Sequence, residues 1–311
     1  MPLDPTVRRF LDRLAATNPT ASAALSVAAR REALEQMLSL GGKPPALAAV
    51  SDQQIPGPAG PLQVRCYTPI DVADASSAGL VFLHGGGLVA GSLETHDGIC
   101  RSLAVSVPCR LLAVDYRLAP EQPFPCGLED AIAAVVWIAR NAPSFGIDPA
   151  RLAVGGDSAG ATLAAAACQA ISARKDAPLR AQFLLCPIMD FAASTASWNE
   201  LGQGYMLDRG TLQHDLQYYL PEGVLASDPR VSPLRALDVT QLPPTCLHTA
   251  EFDPLRDEGL AYVQRLQTAG IATRYRCHLG MIHLFYGMGA LFPYAATAYR
   301  LMGEDLRALL G

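Results

Sequence analysis

The feature that most constrains the fold of this chain is an alternation of short apolar runs with stretches of helical character. Apolar runs of five or six residues recur along most of the chain, at 79–83, 110–114, 151–155, 181–186, 245–250 and 272–277. Stretches that fit helices lie between or after them, at 131–139, 161–173, 258–269 and 293–310. Near-continuous apolar strands that alternate with helices are typical of a mostly parallel sheet covered on both faces. The chain is therefore predicted to have an α/β fold.

The first 68 residues precede this alternation and have a different pattern. Val7, Phe10, Leu11 and Leu14 recur with helical spacing until Asn18-Pro19, and a second helix is expected over about 22–40. Neither helix has a core of its own, so both should pack on the rest of the chain. Residues 46–55 and 62–68 fit two strands, and the turn-rich segment 56–60 between them predicts a hairpin.

Residues 191 to about 230 interrupt the alternation. The segment is longer than an ordinary connection, and long insertions of this kind are usually lids or binding elements. It is rich in large side chains, namely Phe191, Trp198, Tyr205, Met206, Tyr218 and Tyr219. We expect it to cover a binding site.

Charge and cysteine content exclude several classes of function. The formal net charge is −5, and the basic residues form no cluster, which argues against nucleic acid or an anionic membrane as a partner. No apolar run approaches the roughly 18 residues of a transmembrane helix. The start of the chain does not resemble a secretory signal. The eight cysteines form no C-x-x-C pair, so we expect reduced thiols in a cytoplasmic protein.

A candidate nucleophile lies in the segment 156–160, GDSAG, which matches G-x-S-x-G. An apolar strand-like run precedes it and an alanine-rich helical stretch follows, which is the strand–turn–helix setting that this motif requires. Ser158 would sit at a helix N-terminus, where partial positive charge favours a developing oxyanion. The alternative is a structural serine that caps a helix after a glycine-rich turn.

A candidate oxyanion hole follows the strand 79–83. Residues 84–87 read HGGG, and three glycines let backbone N–H groups face a cavity without side chains in the way. Ala159, directly after the nucleophile, would supply a further donor. The alternative is a loose dinucleotide fingerprint, G-x-G-x-x-A from Gly85 to Ala90. Its acidic residue should lie about 20 positions on, whereas Asp115 is 30 positions beyond Gly85.

A serine nucleophile of this fold needs an acid and then a histidine later in the chain. His283 follows the last apolar run, in a loop beyond the end of a strand, and is the candidate general base. His248 lies inside an apolar run and is expected to be structural. His278 alternates with Arg274 and Arg276, so we expect it at the surface.

The candidate acid is Asp253, which follows the run 245–250 and is held out of the next helix by Pro254. It would orient the histidine and stabilise the imidazolium. Asp257 and Glu258 fall in the first turn of that helix, where acids are favoured for structural reasons. Asp190 is the second candidate for the acid.

These segments together resemble the hormone-sensitive-lipase family of α/β-hydrolase esterases, in the subgroup marked by GDSAG. The resemblance covers nearly the whole chain and includes 84–87 (HGGG), 95–97 (THD), 115–121 (DYRLAPE), 156–160 (GDSAG), 253–258 (DPLRDE) and 280–285 (GMIHLF). It implies an α/β-hydrolase fold with an eight-stranded, mostly parallel sheet flanked by helices. It also implies a catalytic core over 46–189 and 231–311, with a helical cap built from 1–45 and 190–230.

The resemblance assigns the site as well. The family pattern maps a catalytic triad onto Ser158, Asp253 and His283, and an oxyanion hole onto the backbone N–H groups of Gly85, Gly86 and Ala159. Family members mostly hydrolyse short- to medium-chain acyl esters without a metal or other cofactor. Many form dimers, which implies a homodimer here, through the strand 272–277.

The substrate pocket is expected to depend on the side chains that fold over the site. The expected lining residues are Leu88, Phe191, Trp198, Tyr205, Met206 and Leu207. Two departures affect substrate fit: Leu88 stands where the family often has an aromatic residue, and Cys186-Pro187 where Tyr-Pro or Ser-Pro is usual. Amide or arylester cleavage on the same triad stays open, as does a non-catalytic binding protein, although such relatives usually lack a triad member.

Overall fold

A computed structural model of the protein describes residues 2–17, 25–72, 76–192 and 195–311. Their strands form an eight-stranded sheet in the order β1-β2-β4-β3-β5-β6-β7-β8. The strands are β1 (Ala49–Gly57), β2 (Gly60–Thr68), β3 (Ser77–Leu83), β4 (Arg110–Val114), β5 (Ile147–Asp157), β6 (Ala181–Leu185), β7 (Thr245–Phe252) and β8 (Thr273–Ile282).

The sheet is antiparallel at one edge and parallel elsewhere. The hairpin β1–β2 pairs antiparallel through a tight turn, and β2 pairs antiparallel with β4. All further neighbours, from β4–β3 to β7–β8, are parallel. This confirms the predicted eight-stranded, mostly parallel sheet.

Helices connect the parallel strands and flank the sheet. They are α1 (Pro5–Thr17), α2 (Val27–Leu38), α3 (Asp97–Ser106), α4 (Cys126–Arg140), α5 (Ala159–Arg174), α6 (Ala196–Leu201), α7 (Arg209–Tyr219), α8 (Arg256–Thr268) and α9 (Tyr294–Leu310). Within the described ranges, none of these helices combines the length and apolar character needed to cross a membrane.

Two hydrophobic clusters fill the two faces of the sheet because successive side chains of a strand point to opposite sides. On β3, Val81 and Leu83 belong to one cluster, whereas Leu80 and Phe82 belong to the other. The first cluster includes buried residues of α4, α5 and α8, and the second includes those of α1, α2, α3 and α9. Burying each large apolar side chain contributes about 1.5–3 kcal/mol, so both helical layers stabilise the sheet.

The helices of the insertion are fixed to the core by buried polar contacts. The Trp198 indole N–H of α6 donates to Glu258 Oε2 at 3.0 Å, and the Met189 N–H donates to Glu258 Oε1 at 2.7 Å. The Ser197 hydroxyl donates to the Pro254 carbonyl at 2.6 Å. Burial raises the pKa of Glu258 well above its usual value.

The N-terminal helix α2 is tied both to the core and to the insertion. Arg31 donates through Nε to the Val89 carbonyl at 2.9 Å and pairs with Glu121 at 2.7 Å. Arg30 pairs with Asp215 of α7 at 2.6 Å. The N-terminal helix and the insertion therefore contact each other, and α2 packs on the rest of the chain as the sequence predicted.

Some local expectations differ from the structure. Helix α2 begins at Val27 after Ser26 caps it, later than expected, and residues 22–24 lie outside the described residues. Strand β1 begins at Ala49 rather than at residue 46. His278 is 1% exposed rather than at the surface, because the rings of Phe285 and of Tyr294 in α9 pack on it and its Nε2 lies 3.0 Å from His248 Nδ1.

Candidate active site

Ser158 occupies a sharp turn between β5 and α5. Its backbone has φ 51° and ψ −122°, a conformation that costs a non-glycine residue energy and that clusters at functional sites. The Ser158 N–H donates to the Leu185 carbonyl at 2.8 Å, which helps to hold the turn. A Cβ at Gly160 would lie 2.1 Å from the Leu83 carbonyl oxygen, so the motif needs this glycine for close packing against β3.

His283 and Asp253 reach Ser158 from the ends of β8 and β7. His283 Nε2 lies 3.1 Å from Ser158 Oγ, and His283 Nδ1 lies 2.7 Å from Asp253 Oδ2. The Leu255 N–H donates to the other carboxylate oxygen of Asp253 at 2.9 Å. The three residues that the sequence analysis singled out therefore form one hydrogen-bonded chain, all of them less than a tenth exposed. Asp190 instead pairs with Arg235 at 2.8 Å.

The charges around His283 favour its protonated form. Burial alone would lower the pKa of the imidazole, but the charge and hydrogen bond of Asp253, together with the charge of Asp157, outweigh burial. The pKa of His283 is raised above its ordinary value as a result. Such an arrangement stabilises an imidazolium next to a serine hydroxyl.

The HGGG loop lies beside Ser158, but the N–H of Gly85, one of the expected oxyanion donors, already has a hydrogen-bond partner. The Gly85 N–H donates to Asp157 Oδ1 at 2.9 Å, so it is not free to meet an oxyanion. His96 Nε2 lies 3.3 Å from Asp157 Oδ2. Within the described part of the chain, the N–H groups of Gly86, Gly87 and Ala159 make no hydrogen bond. Of the expected donors, the Gly85 N–H is therefore already bonded to the Asp157 carboxylate, whereas the N–H groups of Gly86 and Ala159, like that of the neighbouring Gly87, are not.

Comparison with known proteins identifies the family of the chain. The profile of a family described as the alpha/beta hydrolase fold matches residues 80–287. The carboxylic ester hydrolase LipN of Mycobacterium tuberculosis is 40% identical over 269 residues, which is 84% of this chain and 70% of LipN. The chain belongs to the hormone-sensitive-lipase-like esterases of the α/β-hydrolase fold.

Other members of this esterase family match over nearly their full length. The ethyl acetate hydrolase of Pseudomonas putida is 36% identical, covering 90% of this chain and 89% of the relative. Among solved structures, an ester hydrolase from the metagenome of Lake Arreo is 40% identical with a TM-score of 0.94, and each chain is covered to 98%. The esterase of the archaeon Pyrobaculum calidifontis is 34% identical with a TM-score of 0.92, and each chain is covered to 99%.

A cavity of about 370 Å³ opens onto the Ser158 hydroxyl of this esterase. Gly86, Gly87 and His283 contribute to its wall, and α1, α2 and α7 enclose it with mostly apolar side chains. A larger cavity of about 730 Å³ lies between α3, α9 and the turn Phe285–Met288, but none of Ser158, Asp253 and His283 lines it. The smaller cavity is therefore the one that gives access to the hydrogen-bonded chain.

Two of the six expected lining residues, Met206 and Leu207, lie on the wall of the smaller cavity. The other four do not, because their side chains pack elsewhere. Leu88 and Phe191 are buried in the first core cluster, and Leu88 has φ 67°, which turns the loop there. Trp198 is buried against Glu258, and Tyr205 stacks on Phe252 with ring centroids 5.6 Å apart.

One group of possible metal ligands is found among the described residues. Cys186, Asp253 and His283 bring a thiol, a carboxylate and an imidazole within 4.8 Å of one another, all buried. These donor types suit zinc. In this protein Asp253 and His283 are hydrogen-bonded to each other, and burial raises the pKa of the Cys186 thiol.

Sequence reasoning missed four polar residues at this site: Asp157, His96, Arg30 and Asp215. All four line the cavity. Asp157 stands at a variable position of G-x-S-x-G, so the motif itself gives no role to it. His96 lies in the segment 95–97 that carries the family resemblance, which is a usable signal. Arg30 and Asp215 are 185 residues apart and belong to no motif.

Proposed function

We propose that this ester hydrolase cleaves short- to medium-chain acyl esters by a two-step acyl transfer on Ser158, with His283 as general base and Asp253 as its orienting acid. The observation that carries the proposal is the hydrogen-bonded chain from Ser158 Oγ through His283 to Asp253, with distances of 3.1 and 2.7 Å. It stands at the wall of a cavity large enough for a small ester.

In the first step His283 takes the proton of Ser158 as Oγ attacks the ester carbonyl. Asp253 accepts the hydrogen bond from Nδ1, so the proton of the neutral imidazole sits there and Nε2 is left to accept the serine proton. The negative charge that develops on the carbonyl oxygen is received by the N–H groups of Gly86, Gly87 and Ala159. Donors that are already aimed where charge develops lower the barrier.

The first step ends when the bond to the alcohol oxygen breaks, the alcohol leaves with the proton that His283 holds, and an acyl ester remains on Ser158. In the second step a water molecule attacks this ester while His283 takes its proton, and His283 returns that proton to Ser158 Oγ as the acid is released.

The proposed range of substrates follows from the volume of the cavity. A volume of about 370 Å³ lies at the small end of ligand pockets, which favours short and medium acyl chains. Met206 and Leu207 are proposed to contact the substrate. We also assign residues 1–45 and 190–230 to a cap over the core segments 46–189 and 231–311.

We also propose that the enzyme is cytoplasmic and forms a homodimer. All eight cysteines are free thiols, which suits the reducing cytoplasm. Strand β8 lies at an edge of the sheet, where a second copy of the chain could pair with it to form a homodimer.

The test is hydrolysis of a chain-length series of p-nitrophenyl esters by the wild type and by Ser158→Ala. We expect kcat/KM to fall for long acyl chains, and the variant to lose at least about 10³-fold, because members of such a triad act as a unit. No turnover by a folded wild type across the series would contradict the proposal. Turnover of the corresponding acyl p-nitroanilides, which carry an amide in place of the ester, at a comparable rate would favour amide cleavage instead.

A further inference from the structure

An ion pair stands in the otherwise mostly apolar wall of the substrate cavity. Arg30 of α2 and Asp215 of α7 both line the cavity, and Arg30 Nη2 lies 2.6 Å from Asp215 Oδ2. The side chains of Arg30 and Asp215 are 18% and 3% exposed. Bringing two charges out of water is costly, and apolar residues of similar volume often stabilise a protein as well or better. The pair therefore calls for an explanation beyond holding the two helices together.

The ion pair lies next to the HGGG loop, which forms the proposed oxyanion hole. A Cβ on Gly87 would come within 2.0 Å of Asp215 Oδ2, so the carboxylate packs directly on the last glycine of HGGG. The backbone of Gly87 also lines the cavity, as Ser158 does. A substrate with its carbonyl on Ser158 would thus have part of its chain next to Arg30.

Arg30 has hydrogen-bond donors to spare at this place. A guanidinium carries five N–H donors. Asp215 receives those of Nη2, at 2.6 Å, and of Nε, at the longer distance of 3.4 Å. In the ranges that the structure covers, Nη1 of Arg30 has no acceptor.

We propose that Arg30 forms a polar subsite of the cavity that selects esters with a second, neutral acceptor oxygen, such as a keto, ether or hydroxyl group, in the enclosed part of the substrate. A neutral group is favoured over a carboxylate because Asp215 already balances the charge of Arg30 and would repel a second anion. The inference rests on the proposed function, whose substrate class it narrows.

The test compares esters that differ in one acceptor. p-Nitrophenyl 4-oxopentanoate is compared with p-nitrophenyl pentanoate for the acyl side, and 2-methoxyethyl acetate with butyl acetate for the alcohol side. The measured quantity is the ratio of kcat/KM within each pair. Comparing this ratio between wild type and variant cancels the intrinsic reactivity of the esters.

The variant is Arg30→Met/Asp215→Leu, because Arg30→Met alone would leave a buried carboxylate without its cation. We expect the wild-type ratio to exceed that of the double variant about tenfold in one of the two pairs, the size of a hydrogen bond to a charged group. The pair that responds identifies the side of the ester that reaches Arg30. Arg31→Met is the matched control, since Arg31 lies on the same helix but bonds to Val89 and Glu121 outside the cavity, and it should keep the wild-type ratio.

Equal ratios in the wild type and the folded double variant, for both pairs, would overturn the subsite and leave Arg30–Asp215 as a structural contact. In that case the plain esters are still hydrolysed, so the proposed function stands. Failure of the wild type to hydrolyse any of the four esters would overturn both.

Discussion

Asp157 shows how far the role of one side chain extends beyond the motif that contains it. Its carboxylate is fully buried beside Ser158, accepts the N–H of Gly85 at 2.9 Å and lies 3.3 Å from the ring of His96. Its charge also contributes to the raised pKa of His283. We interpret Asp157 as a positioning residue that holds the HGGG loop against the nucleophile and favours the imidazolium.

Asp157→Asn tests this role because the amide keeps the size of the side chain but removes its charge. We expect kcat to fall about tenfold, since one preorganised contact of the oxyanion loop is weakened. The acidic limb of the kcat/KM profile should move to lower pH, because losing a nearby negative charge lowers the pKa of His283. The measurement is a pH profile of p-nitrophenyl butyrate hydrolysis.

Asp148→Asn is the control for this experiment, since Asp148 lies on the same strand and bonds to the N–H of Ala150 at 2.9 Å. It should change neither kcat nor the acidic limb. An Asp157→Asn enzyme with the wild-type profile would contradict the positioning role and would reduce Asp157 to a structural contact.

At the scale of secondary structure, the sequence predicts best those elements whose pattern is local. Strand β4, Arg110–Val114, was predicted residue for residue because a short apolar run is bounded on both sides by polar or turn residues. The strand–turn–helix around Ser158 was predicted for the same reason, with the motif fixing the turn. Ser158, Asp253 and His283 each directly follow the carboxyl end of a parallel strand, β5, β7 and β8, so they meet on the same side of the sheet, and this part of the candidate site could be predicted as well.

Elements whose burial depends on distant segments were predicted less well. Helix α3, Asp97–Ser106, was not predicted, although Ile99, Cys100, Leu103 and Ala104 form a buried face that could have indicated it. His278 was expected at the surface because it alternates with two arginines, and local alternation does not reveal that Phe285 and Tyr294 pack on its ring. The contact of Gly85 with Asp157 and the pairing of Arg30 with Asp215 depend on tertiary packing in the same way.

At the scale of the whole molecule, buried neutral histidines couple stability to pH. His84 and His278 are 3% and 1% exposed, and burial, the largest cause, lowers the pKa of each to about 4. Burial also lowers the pKa of His248 well below its usual value. Histidine in the unfolded chain has a pKa of about 6.5. Between these values the unfolded state binds more protons, so the contribution of these residues to stability is lost as the pH falls.

His278→Phe tests this coupling, because phenylalanine can fill the space beside Phe285 and Tyr294, whose rings pack on His278 with centroids 5.1 and 5.7 Å away. We expect the free energy of unfolding to depend less steeply on pH between 6 and 4.5, by about 1 kcal/mol per pH unit. Urea unfolding at several pH values measures this slope. A His278→Phe protein whose unfolding free energy keeps the wild-type dependence on pH would contradict this coupling.

The central claim is that Ser158 is an activated nucleophile, and the most direct measurement is the intact mass of the protein after reaction with a p-nitrophenyl alkylphosphonate. We predict one phosphonyl group per wild-type chain, mapped to Ser158 by peptide mass spectrometry, with one equivalent of p-nitrophenol released. Ser102→Ala, at a half-buried serine of α3, should label like the wild type, whereas Ser158→Ala should not label. A folded wild type that takes up no phosphonyl group, or takes it up at another residue, would contradict the account.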